Sequence, residues 1–271
     1  MKIARVTDWI QLWRELVEAQ SPEPERKGKP KGPHMAAQRR WAKPDCTLDF
    51  IVSQLKAAPD ATVVDIGAGT GRWAVLLSPH ARHITAVDSS PAMIDAMREN
   101  LAAAGVSNVE IVAGSWPDVQ MTPHSFSFCS HGMYGSPDLP AFIRSMEQVT
   151  RRTCFLILRA PVPDGIMAQA ALRIWGHPYD SPNFQVCYNA LLQMGIFANV
   201  LMADAGLWSP WKNSTLEEAL VEIKRRFGLA GPSEHDEFLA DLLRRELTLE
   251  DGQYVWPRSV RSAMIYWNPN G

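Results

Sequence analysis

The sequence predicts an α/β fold: a doubly wound, mostly parallel sheet with an antiparallel terminal strand, N-terminal helices and a helical cap insertion. Short apolar runs alternate with helical patterns from residue 62 to 158, which is typical of parallel strands joined by crossover helices. The first run ends in three glycines at alternate positions, where a strand turns sharply into a helix. The 271 residues are 46% apolar, enough to fill one large domain or a core domain with a smaller cap.

The segment before the sheet reads as helices around a connector. Apolar spacing predicts a helix over residues 3–19, and further helices over 35–41 and 47–57. Residues 21–33 are rich in proline, glycine and charge, which indicates a solvated linker. The lysines of Lys27–Lys31 leave open a second interpretation, a surface that binds nucleic acid.

The central region gives the sheet itself. Strands are predicted at 62–66, 83–87, 109–113, 126–130 and 154–158. Helices are predicted at 72–77, 91–104 and 139–149. Ser89 or Ser90 supplies the N-cap of the second helix, with Pro91 in its first turn.

The pattern changes after residue 160. Helices are predicted at 168–175 and 188–194, a strand at 196–203, a helix from a capping box at Ser214–Glu217 through Phe227, and a helix at 233–247. Residues 252–256 and 263–267 are predicted to form a terminal antiparallel pair. The domains expected are therefore 1–46 (helices and basic linker), 47–160 (cofactor-binding core) and 161–271 (substrate cap and terminal strands).

Charge and cysteine usage narrow the classes of function. A net charge of −2 gives no overall attraction to nucleic acid or anionic lipid. Cys46, Cys129, Cys154 and Cys187 are scattered, with no Cys-x-x-Cys pair, so no metal site is predicted. Neither a signal peptide nor an apolar run of about 18 residues occurs, so a cytoplasmic protein without a membrane segment is expected.

The glycine spacing distinguishes between cofactors. The loop reads Gly67-x-Gly69-x-Gly71, so its third glycine comes one residue earlier than in the Gly-x-Gly-x-x-Gly fingerprint of dinucleotide-binding proteins. A nicotinamide dehydrogenase is therefore a distant alternative. Asp65 stands just before the loop, and Asp88 follows the second strand.

The run Val64-Asp65-Ile66-Gly67-x-Gly69-x-Gly71, with Val87-Asp88-Ser89, resembles the class I S-adenosylmethionine-dependent methyltransferases over about residues 47–160. The resemblance implies S-adenosylmethionine as cofactor and S-adenosylhomocysteine as product. It assigns the loop, including Ala68, to the amino-acid and ribose portions, with Asp65 near the amino group. It assigns Asp88 to the ribose hydroxyls; the alternative is an acid favoured by a helix N-terminus.

The resemblance also assigns an adenine side. Ser89 and Met93 follow the family's order of acid, small residue and apolar contact, although Met93 alone also reads as a core residue. Gly114, Ser115 and Trp116 follow the third strand, where Ser115 replaces the family's commoner acid and Trp116 is placed to stack on the ring.

Candidate catalytic residues follow the fourth strand. Ser130 and His131 end it on the cofactor side, and Tyr134 comes shortly after. His131 is a candidate general base or positioning donor, and a structural histidine is an equally supported interpretation. Methyl transfer from a sulfonium depends chiefly on positioning, so a nucleophilic acceptor needs no strong base.

The acceptor site is expected after the fifth strand, where residues with aromatic or polar tips are concentrated: Trp175, His177, Tyr179, Asn183, Tyr188, Trp208 and Trp211. They suit a planar, partly apolar small molecule, or else form a hydrophobic seam. The function predicted is a small-molecule methyltransferase. An RNA or protein methyltransferase that docks its partner through Lys27–Lys31 and Arg39-Arg40 is one alternative. A non-catalytic cofactor-binding protein is another. The acceptor atom and oligomeric state stay open.

Overall fold

A computed structural model describes residues 7–19, 46–203 and 209–269. Its helices are α1 Trp9–Glu18, α2 Cys46–Lys56, α3 Arg72–Leu77, α4 Pro91–Ala103, α5 Leu139–Gln148, α6 Ile166–Trp175, α7 Phe184–Gln193, α8 Leu216–Arg226 and α9 Asp236–Glu246. Its strands are β1 Thr62–Ile66, β2 His83–Asp88, β3 Val109–Ala113, β4 His124–Ser130, β5 Thr150–Pro161, β6 Asn199–Met202, β7 Lys212–Asn213, β8 Thr248–Glu250, β9 Gln253–Val255 and β10 Val260–Trp267. The predicted connector at 21–33, the helix at 35–41, Lys27–Lys31 and Arg39-Arg40 lie outside the described residues.

The described residues form two compact units. The sheet unit comprises 46–158, 194–203 and 263–269, and the helical unit comprises 7–19, 159–193 and 209–262. The boundaries predicted from sequence, at 46 and 160, remain a prediction. No helix of the described residues is long and apolar enough to cross a membrane.

The sheet unit has seven strands in the order β3-β2-β1-β4-β5-β10-β6. β1 pairs in parallel with β2 and β4, β3 pairs in parallel with β2, and β5 in parallel with β4. β10 and β6 are antiparallel. The predicted fold class is therefore confirmed. The strand order reverses between β1 and β4. In such sheets ligands bind at the carboxyl ends of the strands on either side of this reversal.

Buried apolar side chains on both faces of the seven-stranded sheet pack it against its flanking helices. Val63, Val64, Ile66, Ile84 and Phe128 are buried almost completely, as expected of parallel strands covered by helices. Helix α4 begins as predicted, because Ser90 is its N-cap and Pro91 occupies its first turn. The parallel pairing of β1 with β2 places the carboxyl ends of both strands at the same edge of the sheet.

The helical unit has its own core and a three-stranded sheet in the order β7-β9-β8. Leu239, Leu242 and Leu243 of α9 pack with Ile223 of α8. The capping interaction at α8 lies one residue later than predicted. The Thr215 hydroxyl accepts from the Glu218 backbone, and the Glu218 carboxylate accepts from the Ser214 backbone.

The predicted pairing of residues 252–256 with 263–267 is wrong. β9 pairs with β7 and β8, whereas β10 pairs with β6. Ala263, Met264 and Ile265 are each 0% exposed. A run buried on both faces is typical of a strand inside a sheet, with a neighbour on either side, rather than of a partly exposed hairpin.

Candidate functional site

A cleft of about 460 Å³ opens in the sheet unit at the carboxyl ends of the first four strands. Six residues predicted from sequence line it: Gly67, Asp88, Ser89, Gly114, Ser115 and Trp116. The other lining residues are Ile66, Val87, Gly132, Gly135, Ser136, Pro137 and Phe142. Sequence analysis missed four of these, Gly132, Gly135, Ser136 and Pro137, although glycines and a proline after a predicted strand are typical of a loop that a ligand approaches.

The glycine loop requires its glycines. Gly67 and Gly71 have φ of +67° and +78°, the left-handed region that side chains disfavour. A Cβ on Gly67 would lie 3.0 Å from the Cα of Gly132, and one on Gly71 would lie 2.6 Å from Cγ of Met97. The β1 loop therefore comes directly against the loop after β4 and against α4.

Asp88 joins the glycine loop to the start of α4. Its Oδ2 accepts a hydrogen bond of 2.7 Å from the Gly69 backbone, and its Oδ1 accepts one of 2.9 Å from the Ser90 backbone. An ionised carboxylate has about four lone-pair sites, so two acceptor positions remain after these bonds. Asp88 therefore both tethers the loop and lines the cleft with acceptor capacity to spare.

Asp65, just before the loop, is buried at 2% exposure and is not among the residues that line the cleft. Burial raises its pKa to about 7, the charge of Asp88 adds to the rise, and a hydrogen bond from the Ala74 backbone opposes it. Its Oδ2 is buried and has no hydrogen-bond partner among the described residues. A cationic group reaching this oxygen would favour the ionised form and lower the pKa.

The adenine-side residues are held in different ways. The Trp116 indole Nε1 donates to the Phe142 carbonyl of α5 at 3.2 Å, and the two rings meet edge to face. Ser115 is exposed, and the Gly114 backbone donates to the Asp88 carbonyl at 3.0 Å. Met93 lies in the first turn of α4 and is not among the cleft residues.

His131 and Tyr134 lie together just beyond β4. The Nδ1 of His131 is 2.9 Å from the Tyr134 hydroxyl, and the His131 backbone donates to the Ile157 carbonyl of β5. His131 has φ of +57°, an uncommon conformation for a residue other than glycine. Ser130, its neighbour, pairs with Ile157 in the ladder. None of these three residues is among those that line the cleft.

Three of the residues predicted for the acceptor site form one series of ring contacts, in which His177 lies 6.0 Å from the Trp175 ring and 6.0 Å from the Tyr179 ring. Trp175 packs edge to face on Phe227. Asn183 is buried and holds the start of α7, where its Oδ1 accepts from the Val186 backbone. Tyr179 contacts Trp9, and Tyr188 stacks on Phe184. Trp211 lines a separate small pocket of the helical unit. Trp208 lies outside the described residues.

Similarity to known proteins is concentrated in the sheet unit. Residues 63–153 match the methyltransferase domain family. The ribosomal protein L11 methyltransferase of Clostridium perfringens is 39% identical over 61 residues, 22% of this chain and 20% of that protein. The chain thus spans about a fifth of that relative's length.

Solved structures show the same fold over most of the chain. YjhP from E. coli aligns at a TM-score of 0.53 and 11% identity, covering 94% of this chain and 98% of that one. A geranyl diphosphate methyltransferase in complex with S-adenosylmethionine aligns at a TM-score of 0.50 and 14% identity, covering 92% and 93%. At these identities the likeness concerns the fold. Together with the strand order, it shows a class I methyltransferase fold, and the match over residues 63–153 identifies a methyltransferase domain within the sheet unit.

Proposed function

We propose that the protein transfers a methyl group from S-adenosylmethionine to a small-molecule acceptor. The observation that carries this proposal is the cleft at the carboxyl ends of β1 to β4, where Asp88 combines two backbone hydrogen bonds with unused acceptor capacity. A ribose diol needs such acceptors. The relative solved with S-adenosylmethionine has the same fold and supports the choice of cofactor.

The residues present suit the parts of that cofactor. Gly67 lines the cleft with its backbone alone, and nothing lies within 4 Å of the place where a Cβ on Gly69 would be. The unpartnered buried oxygen of Asp65 suits the α-amino group, which would satisfy it by a charge-assisted hydrogen bond. Trp116, oriented by the Phe142 carbonyl, offers an aromatic face to the adenine. We assign Ser89, Gly114 and Ser115 to the same side of the cleft.

When bound, S-adenosylmethionine supplies an electrophilic methyl group. The chain's own part is to hold the acceptor in line, to exclude water and, for a protonated acceptor, to take up a proton. We assign the proton to His131, because its contact with the Tyr134 hydroxyl fixes the ring's orientation. Ser130 precedes it at the end of β4 and is the third residue proposed there.

Titration calorimetry with S-adenosylmethionine, S-adenosylhomocysteine and NADH tests the cofactor. We expect micromolar binding of the two sulfur ligands and none of NADH. Asp88→Ala should weaken both by about 2 kcal/mol or more, about 30-fold, since the diol loses a charged acceptor and the loop its tether. Asp95→Ala, an exposed acid of α4 paired with Arg98, is the matched control.

Two outcomes contradict the proposal. Absence of binding by either sulfur ligand would favour the non-catalytic interpretation. An unchanged dissociation constant in a folded Asp88→Ala protein would remove Asp88 from the site. The competing proposal for the acceptor is a protein, because one relative is a ribosomal protein L11 methyltransferase. Strong weakening of partner binding by salt would support that alternative.

A further inference from the structure

The helical unit contains a second pocket, of about 110 Å³. Its walls include the apolar side chains of Trp211, Trp256 and Ile166. Three arginines, Arg159, Arg226 and Arg258, also line it. Apolar walls combined with several cations are uncommon in a pocket that only packs the fold, because each buried charge costs solvation.

The charges around this pocket are unbalanced. Among the described residues that line the pocket, Asp180 is the one acid, against three guanidinium groups. The Asp180 carboxylate accepts a hydrogen bond from the Ser181 hydroxyl, which in turn accepts one from Arg159. Glu222 lies 3.6 Å from Nε of Arg226, but it also pairs with Arg225 at 2.9 Å. The pocket therefore retains a positive potential.

Arg226 is the most constrained of the three cations. Its guanidinium lies 4.1 Å from the centre of the Trp211 ring. Burial lowers its pKa, with the charge of Arg159 acting in the same direction and that of Asp180 opposing it. Its Nε is buried and has no hydrogen-bond partner among the described residues. An anion in the pocket would supply the hydrogen-bond acceptor that this nitrogen lacks.

Contacts between protein groups hold the walls of the pocket in place. Trp256 Nε1 donates to the Asn213 side chain at 2.7 Å, and the Trp256 backbone donates to the Trp211 carbonyl at 3.0 Å. The two indole rings meet edge to face at 5.4 Å. Arg159 is held by Ser181 at 2.7 Å. A ligand thus enters a preorganised pocket, which reduces the entropic cost of binding.

We propose that this pocket binds a small aromatic carboxylate, with the ring between the apolar walls and the carboxylate on the arginines. At about 110 Å³ the pocket is smaller than the apolar cavity of about 150 Å³ that holds benzene, so it admits no more than a single ring, with the carboxylate toward the exposed Arg258. A planar guanidinium matches a carboxylate through two parallel hydrogen bonds. The inference is independent of methyl transfer, because it concerns ligand binding alone.

Calorimetric titration of the full chain with benzoate and with benzamide, its neutral isostere, tests the charge requirement. We expect saturable benzoate binding, with benzamide about tenfold weaker or more, because a hydrogen bond to a charged group contributes more than a neutral one. Arg226→Gln should weaken benzoate by a similar factor. Arg244→Gln, an exposed arginine of α9 paired with Asp241, should bind benzoate as the unaltered protein does.

Arg258→Gln gives a second test that leaves the core intact, since Arg258 is exposed. We expect weaker benzoate binding with an unchanged melting temperature. Equal binding of benzoate and benzamide, absence of benzoate binding, or wild-type affinity in both Arg226→Gln and Arg258→Gln would overturn the proposal. A separate titration of each protein with S-adenosylhomocysteine measures cofactor binding. It shows whether the cofactor assignment fails, independently of the result with benzoate.

Discussion

At the scale of single residues, Asp65 and Asp88 show how solvation gives two carboxyl groups different tasks. Asp88 is partly exposed, and each of its two carboxylate oxygens accepts one hydrogen bond from a backbone N–H. Asp65 is buried, with its pKa raised to about 7. The fold therefore favours the protonated form of Asp65, whereas the unfolded chain ionises it near its ordinary value of 3.8.

Asp65→Asn tests this difference. Because the folded pKa is the higher one, the contribution of Asp65 to stability is fully present below pH 4 and falls as pH rises to about 7. The asparagine variant cannot ionise. We expect its stability relative to the unaltered protein to rise across that window, by on the order of 4 kcal/mol at most. Thermal unfolding followed by circular dichroism between pH 4 and 8 measures it, with Asp95→Asn as control. A difference independent of pH would refute the buried-acid interpretation.

His131 calls for a substitution that respects its backbone. Asparagine tolerates φ near +57° better than alanine does, so His131→Asn removes the imidazole with least strain. If His131 takes up the proton, turnover of an acceptor found by screening should fall about 100-fold with cofactor affinity unchanged. Tyr134→Phe should cause a smaller loss and shift the pH profile. A parallel loss of turnover and cofactor affinity would make His131 a packing residue.

Sequence analysis identified the site residues that follow a predicted strand within a recognisable motif. It missed residues that join the cleft only through contacts formed in the folded protein. Gly67 and Asp88 follow predicted strands, so their place at one sheet edge could be inferred. Gly132 also follows a predicted strand, but its contact with Gly67, a residue distant in sequence, could be found only in the structure. Of the residues predicted for the acceptor site after β5, Trp175, His177 and Tyr179 do lie together in one series of ring contacts, whereas Asn183 caps α7 and Trp211 lines the small pocket.

At the scale of elements, the turn from β1 into α3 depends on Gly71. A Cβ there combines a left-handed φ with a 2.6 Å approach to Met97, whereas one on Gly105 has the same kind of φ with nothing within 4 Å. We expect Gly105→Ala to cost about 1 kcal/mol of stability and Gly71→Ala about 2 to 3 kcal/mol. Urea unfolding of the two variants measures the difference. Equal losses would show that Met97 moves aside at little cost.

Element boundaries were predicted best where the chain has apolar runs ended by glycine or a cap. β1 and β3 have the predicted bounds, and α4 starts at the predicted Pro91. β5 runs over 150–161 rather than 154–158. The predicted strand begins too late because Arg151 and Arg152, at the start of β5, are exposed. Polar residues at the end of a strand carry no apolar signal, so hydrogen bonding with β4 determines that boundary.

At the scale of the whole molecule, the sheet unit draws its strands from three separated parts of the sequence. β10 lies between β5 and β6 and is buried over Ala263, Met264 and Ile265. Its Trp267 donates to the Glu147 carboxylate of α5. This strand closes one side of the core although it follows the helical unit in sequence.

A chain that stops before Val260 should therefore lose cooperative unfolding. Without β10, one edge of β5 and one edge of β6 lose their partners, and unpaired edges promote aggregation. Thermal unfolding and size-exclusion chromatography measure the effect, with a chain stopped after Asn268 as the matched control. A shortened chain that still melts in one sharp transition would show that β10 is dispensable.

The position of β10 also sets an order of events during synthesis. β6 leaves the ribosome well before β10, yet the neighbour that joins it to the sheet is β10. For that interval β6 and the edge of β5 expose unpaired backbone groups, the kind of transient surface that chaperones bind. Slowing translation between residues 203 and 260 lengthens this exposure without altering the folded protein.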